Sequence, residues 1–141
     1  MADPEYAGDI LPKEAWQMLS KDLDTVLVDV RTPEEWQFVG VPDLKDLDKE
    51  PVLAAWRLFG AEGPNLEFEQ KIRAHNIPEG STVLFLCRSG QRSKAAAIAM
   101  TSAGFKTCYN IATGFEGDLD DGNHRNVKNG WRIDGLPWKQ T

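Results

Sequence analysis

Cysteine and histidine are scarce in this chain: two of each occur among 141 residues. Cys87 and Cys108 form no CxxC pair, and no repeated Cys/His spacing exists. That argues against a structural zinc site, and no residue pattern calls for a metal or another cofactor. His75 and His124 are isolated and read as solvated or capping residues. Long apolar runs are missing too. The longest small-apolar stretch, around residues 95–100, is far too short to cross a bilayer. The N-terminus, Met1-Ala2-Asp3-Pro4-Glu5, lacks the basic and apolar segments of a secretory signal. Positive charge is in deficit, with a formal net charge of −6. Neither nucleic acid nor an anionic membrane surface is then expected as a partner. A reducing, cytoplasmic compartment is the simplest reading. What remains is ordinary globular material. The chain is 41% hydrophobic with five tryptophans, enough for one core and one domain over residues 1–141.

Strand and helix signals alternate along the chain. Pro12 to Leu19 suggests a first helix with proline in its opening turn. Val26-Leu27-Val28-Asp29-Val30 reads as a buried parallel strand with Asp29 near its C-terminal end. Thr32-Pro33-Glu34-Glu35 has the pattern of a capping box: Thr32 as N-cap, Pro33 at the first helical position and Glu35 reaching back. Leu53 to Phe59 fits either a short strand or a helix. Asn65 is placed to cap a helix over 66–75, and Pro78-Glu79-Gly80-Ser81 to turn into a strand at 82–86. An Ala-rich helix after Ser93 should end at Gly104, followed by a strand within 105–111. The tail from 114 to 141, rich in Gly, Asn and Asp, reads as irregular. The pattern predicts an α/β domain with a mainly parallel central sheet flanked by helices on both faces. Ligands of such sheets gather at the C-terminal edges of the strands, where Asp29 and Cys87 both fall.

The chemistry concentrates in Cys87-Arg88-Ser89-Gly90-Gln91-Arg92-Ser93. A thiol at the start of a strand-to-helix loop faces peptide N–H groups and the positive end of the following helix. With Arg88 and Arg92 beside it, the thiolate is favoured and an anion site is made. Cys87 is the expected nucleophile. Cys108 lies in an apolar strand pattern and reads as core; a Cys87–Cys108 disulfide stays open. Asp29 and Arg31 read as an ion pair fixing the strand end, with an effect on the loop from behind as the other possibility. Trp36, Trp56 and Trp131 read as packing residues.

Four stretches resemble the rhodanese-like, single-domain thiosulfate sulfurtransferase family. Leu27-Val28-Asp29-Val30-Arg31 with Glu34-Glu35-Trp36 is similar to its first strand and helix. Residues 87–93 are similar to its CRSGxRS active-site loop. Gly104-Phe105 with Tyr109-Asn110-Ile111, and Gly130-Trp131 with Gly135-Leu136-Pro137-Trp138, are similar to its later segments. Three departures occur: Val39-Gly40-Val41-Pro42-Asp43-Leu44 replaces the family's GHIPGA stretch, Thr113-Gly114 replaces its Gly-Gly after the last strand, and residues 43–65 are longer than in a minimal member. The resemblance implies that Cys87 cycles between thiolate and persulfide. It would take sulfur from a small anionic donor such as thiosulfate and pass it to a thiol or cyanide, or to a sulfur-accepting protein. Amides of residues 88–93 would form a ring holding the sulfur anion, with Ser89 and Ser93 as hydrogen-bond donors. Gly90 would permit close approach, and Arg88 and Arg92 would pair with the donor's oxyanion. Two other readings stay open: a non-catalytic sulfur carrier or interaction module, and a cysteine-dependent phosphatase or arsenate reductase. Against the second, the Cys-x4-Arg loop is one residue shorter than the Cys-x5-Arg cradle of cysteine phosphatases.

Overall fold

A computed structural model of the chain describes residues 5–58 and 60–140. Phe59 and the start of the N-terminal segment, both touched by the sequence reading, lie outside the described residues. Five strands form one parallel sheet in the order β1–β6–β5–β2–β4. They are β1 (Gly8–Ile10), β2 (Val26–Asp29), β4 (Val52–Leu53), β5 (Thr82–Leu86) and β6 (Thr107–Ile111). A small antiparallel pair joins β3 (Val41–Pro42) to β7 (Trp138–Lys139). The helices are α1 (Pro12–Lys21), α2 (Pro33–Phe38), α3 (Phe68–Ala74) and α4 (Gln91–Ser102).

Side chains alternate across a strand, so the central strands feed two cores. On one face Val28, Val83, Phe85 and Cys108 pack with Phe68 and Ile72 of α3 and with Ala96, Ala97 and Met100 of α4. On the other, Leu27, Leu84, Leu86 and Ile111 meet Ala15 and Leu19 of α1, together with Phe115 and Trp131 from the tail. Helices therefore cover both faces of a parallel sheet, as the sequence pattern predicts.

Local signals explain where elements begin and end. In α2 the Glu35 amide donates to Thr32 Oγ1 at 3.3 Å, and the Thr32 amide donates back to Glu35 Oε1 at 3.1 Å, completing the capping box. After α4 the Phe105 amide donates to the Met100 carbonyl and the Gly104 amide to that of Thr101, with Gly104 at φ +117°. This is the paired closure that glycine favours past a helix end. Asn65 does not cap the helix as expected: its Oδ1 accepts from the Glu67 amide in a turn before it, and α3 runs from Phe68 to Ala74 with Glu67 as N-cap and no side-chain cap bond. Among the described residues of the ambiguous 53–59 stretch, only Leu53 belongs to a regular element, as the last residue of β4.

Candidate active site

The site grows from the C-terminal edges of β2 and β5. Strand β5 ends at Leu86, and Cys87 is the first residue beyond it. Gly90 is the N-cap of α4 at φ +105°. A β-carbon there would stand 2.1 Å from the Ala112 carbonyl oxygen, so the sharp entry into the helix requires glycine.

The loop's carbonyls are held from behind. The Cys87 oxygen accepts from the Phe115 amide at 2.8 Å, and the Arg88 oxygen from the amides of Glu116 and Gly117 at 3.0 and 3.1 Å. Gly114 lets this segment approach, since a β-carbon on it would lie 2.5 Å from the Cys87 oxygen. The Trp131 amide in turn donates to the Gly114 carbonyl. The tail read as irregular is thus a backbone clamp, and it engages the carbonyls at the start of the loop. Sequence reasoning missed this role; the signal was the cluster Gly114, Gly117 and Gly130, all at positive φ.

Sγ of Cys87 accepts from the Gly90 amide at 3.1 Å and lies 3.1 Å from Ser93 Oγ. Among the described residues the hydrogen-bond partners of Sγ are this one amide and this one hydroxyl, and Cys87 is only 1% exposed. The thiol lies on the floor of the loop and joins the core cluster of α3 and α4. Both cysteines are free thiols. Cys108 is fully buried in β6, and burial pushes its thiol up, which suits a core residue.

The two loop arginines part ways. Arg88 is exposed and, among the described residues, makes no ion pair. Arg92 is half-buried and forms a bidentate pair with Glu35, at 2.7 and 3.0 Å. Its expected place in the cradle is therefore qualified, because its guanidinium fork is already filled by a carboxylate. Ser89 is partly buried and Gln91 exposed. Between α2 and the loop lies a cleft of about 750 Å³, with Arg88, Arg92 and Arg125 on its wall and Phe38 and Leu119 on its rim. A hollow of about 860 Å³ against Trp36, Pro42 and Leu53 is lined by no loop residue.

Burial opposes ionisation of Glu35. The Arg92 guanidinium overrides it, helped by the Thr32 amide and the charge of Arg31, and holds the carboxyl at about 2 against an ordinary 4.5. A carboxyl lowered on folding stabilises the protein above its unfolded value, and that contribution fades as pH falls toward the folded one. Glu35→Gln should therefore cost about 2 kcal/mol at neutral pH, after discounting for solvent at the rim of the pair. Between pH 4.5 and 2, melting temperature should fall more steeply in wild type than in the variant. Equal slopes would remove the ion pair from the account.

Asp29 and Arg31 form the expected pair at 2.7 Å, both fully buried. Arg31 also donates to the Gly40 carbonyl at 2.6 Å, and its guanidinium lies 4.2 Å from the centre of the Phe115 ring. Phe115 is the residue whose amide holds the Cys87 carbonyl. The pair thus supports the loop from behind without touching the sulfur's hydrogen-bond partners.

The family described as the STR4 middle domain matches residues 8–141. The chain belongs to that family. An uncharacterized Rickettsia conorii protein is 39% identical to this chain over 132 residues, spanning 93% of this chain and 96% of its own length. The crystal structure of Rv0390 from M. tuberculosis is 49% identical and superposes with a TM-score of 0.88, over 96% of this chain and 99% of that one. The chloroplastic rhodanese-like domain-containing protein 4 of Arabidopsis thaliana is 28% identical over 135 residues; these cover 96% of this chain but 26% of that protein. At 23% identity the polysulfide-sulfur transferase of Wolinella succinogenes shares the fold, with a TM-score of 0.63 over 97% of this chain and 80% of its own. This chain has a rhodanese-like α/β fold. Among the described residues no helix is long and apolar enough to cross a membrane, and no cluster of three potential metal ligands occurs.

Proposed function

We propose that this domain is a sulfurtransferase that moves sulfane sulfur through a persulfide on Cys87. The observation that carries the proposal is the sulfur's setting: a thiol held by the Gly90 amide at the N-terminus of α4, where backbone dipoles favour an anion. The thiolate attacks the outer sulfur of a donor such as thiosulfate. An S–S bond forms at Cys87 as the donor's S–S bond breaks, and sulfite leaves with the electron pair. Cyanide or a thiol then attacks the outer sulfur, and Cys87 recovers its thiolate. Arg88, with no ion-pair partner among the described residues, is the cation for the donor's oxyanion, with Arg92 behind it. The relatives named for rhodanese-like domains and for polysulfide-sulfur transfer support this class of chemistry. The setting is one domain in a reducing cytoplasm, without nucleic-acid or membrane partners.

One observation favours a second reading, that of a carrier passing sulfur to a protein thiol. Arg92 is neutralised by Glu35 and Cys87 is covered, so attraction for a small dianion is weaker than two free arginines would give. Incubation with thiosulfate should add one sulfur atom to Cys87 by mass spectrometry, and cyanide should then release thiocyanate; Cys87→Ser should do neither. Persulfide formation with slow thiosulfate turnover but fast exchange with a protein thiol would select the carrier. No added sulfur from any sulfane donor would end both readings, and Cys87-dependent hydrolysis of an aryl phosphate would replace them.

A further inference from the structure

A hydrogen-bonded chain leads from the surface through Tyr6, Asp9 and Asn110, all outside the loop, to Ser93 and the sulfur. Tyr6 donates its hydroxyl to Asp9 Oδ1 at 2.9 Å, and Asn110 Nδ2 donates to the same oxygen at 3.0 Å. Asn110 Oδ1 lies 2.5 Å from Ser93 Oγ, which lies 3.1 Å from Cys87 Sγ. Asp9 of β1 and Asn110 of β6 are partners in register, so their side chains share one face of the sheet. Ser93 is fully buried and Asn110 is 3% exposed.

The donor and acceptor inventory sets the direction of this chain. A carboxylate only accepts, so Asp9 draws the NH2 end of the Asn110 amide toward itself. The amide oxygen is left facing Ser93, and it too only accepts. Burial and the neighbouring Asp9 and Glu5 carboxylates push the Tyr6 phenol up, so Tyr6 remains a donor. Ser93 has one hydrogen, and the shorter contact takes it to Asn110. A hydroxyl lone pair is then turned toward Cys87, which suits a thiol donating S–H. To support a thiolate, Ser93 must rotate its hydrogen onto the sulfur and leave the buried Asn110 oxygen unpaired, which is unfavourable.

We infer that Asn110, oriented by Asp9, is a positioning residue that sets the direction of the Ser93 hydroxyl and so the balance between thiol and thiolate at Cys87. The device opposes the Gly90 amide: Ser93 turns a lone pair to the sulfur for as long as its hydrogen is held by Asn110. Other charges around the sulfur come from Arg92 of α4 with its partner Glu35 of α2, from Arg88 in the loop, and from the Asp29–Arg31 pair at the end of β2. Around Asp9 they come from Glu5 and from Lys94, whose Nζ lies 5.9 Å from the Tyr6 ring centre. The substitutions below touch none of these.

The inference rests on Cys87 as the nucleophile of the proposed function. Alkylation reads the thiolate without any sulfur donor, so the two ideas fail separately. The rate of Cys87 modification by iodoacetamide would be followed against pH for wild type, Asp9→Ala and Asn110→Leu. Releasing the amide should move the midpoint of the profile to lower pH, raising the rate below it about threefold for Asp9→Ala and about tenfold for Asn110→Leu, the latter equal to a shift of one pH unit. A merely structural role would change the high-pH plateau or the melting temperature and leave the midpoint in place. Asp9 is exposed on a short edge strand, so its variant tests the idea even if Asn110→Leu folds poorly. A wild-type midpoint in Asp9→Ala overturns the inference.

Discussion

Gly90→Ala is expected to remove sulfur transfer and to destabilise the fold together. The added methyl would stand 2.1 Å from the Ala112 carbonyl oxygen, 2.9 Å from its carbon and 3.3 Å from its Cα. All three atoms are backbone and cannot swing away as a flexible side chain would. The position also sits at φ +105°, a region that L side chains rarely adopt. Strain and clash together should cost about 3–5 kcal/mol, a fall in melting temperature on the order of 10–15 °C. The chain would escape by moving Gly90 away from Ala112, and that motion carries the Gly90 amide off the sulfur. Loss of one preorganised backbone donor costs on the order of 100-fold in rate. Circular dichroism melts and a thiosulfate–cyanide assay at a temperature where the variant remains folded would read the two effects apart. A variant that melted like wild type would show that the helix entry tolerates a side chain, and the close packing of β6 against the loop would have to be given up.

The part of the site that was legible in the sequence is the part made by neighbours in the chain. A continuous apolar strand, a glycine-containing turn and an alanine-rich helix state their own conformations locally, so β5 and Cys87 stand where the pattern put them, while α4 begins at Gln91, three residues before the expected start after Ser93, because the turn closes at Gly90. The same holds for the α2 capping box, whose Thr32 and Glu35 are three residues apart. Contacts made by residues distant in sequence carried no such signal. Glu35 and Arg92 are 57 residues apart, and nothing in either segment tells which arginine a capping glutamate will also hold. β1 and β7 were not read because three and two residues are too few for periodicity to show. Their conformation comes from the partner strand: β1 from β6, and β7 from β3. The clamp at 114–117 failed to appear for a related reason. Its order derives from carbonyls of the active-site loop, whereas composition alone makes a stretch of Gly, Asn and Asp look unstructured.

Asp29→Ala should be the most damaging substitution outside the loop, at about 3–5 kcal/mol. The reason is what it leaves behind. Arg31 has no solvent exposure, its Nη1 already lacks a partner, and its remaining anchors would be the Gly40 carbonyl and the face of Phe115. A guanidinium stripped of its carboxylate in that place must drag in water or force the strand end open, and either outcome moves Phe115. Since the Phe115 amide holds the Cys87 carbonyl, sulfur transfer should fall along with stability. The sign of the pair's coupling can be tested directly. Removing both charges with Asp29→Leu and Arg31→Met should cost less than Asp29→Ala alone, because the penalty lies in the orphaned cation more than in the lost attraction. Urea unfolding midpoints for the single and double variants supply the comparison. If the double variant were the less stable of the two, the orphaned cation would not be the source of the penalty, and Arg31 would belong to the loop's support by its packing on Phe115 and its bond to the Gly40 carbonyl rather than by its pairing with Asp29.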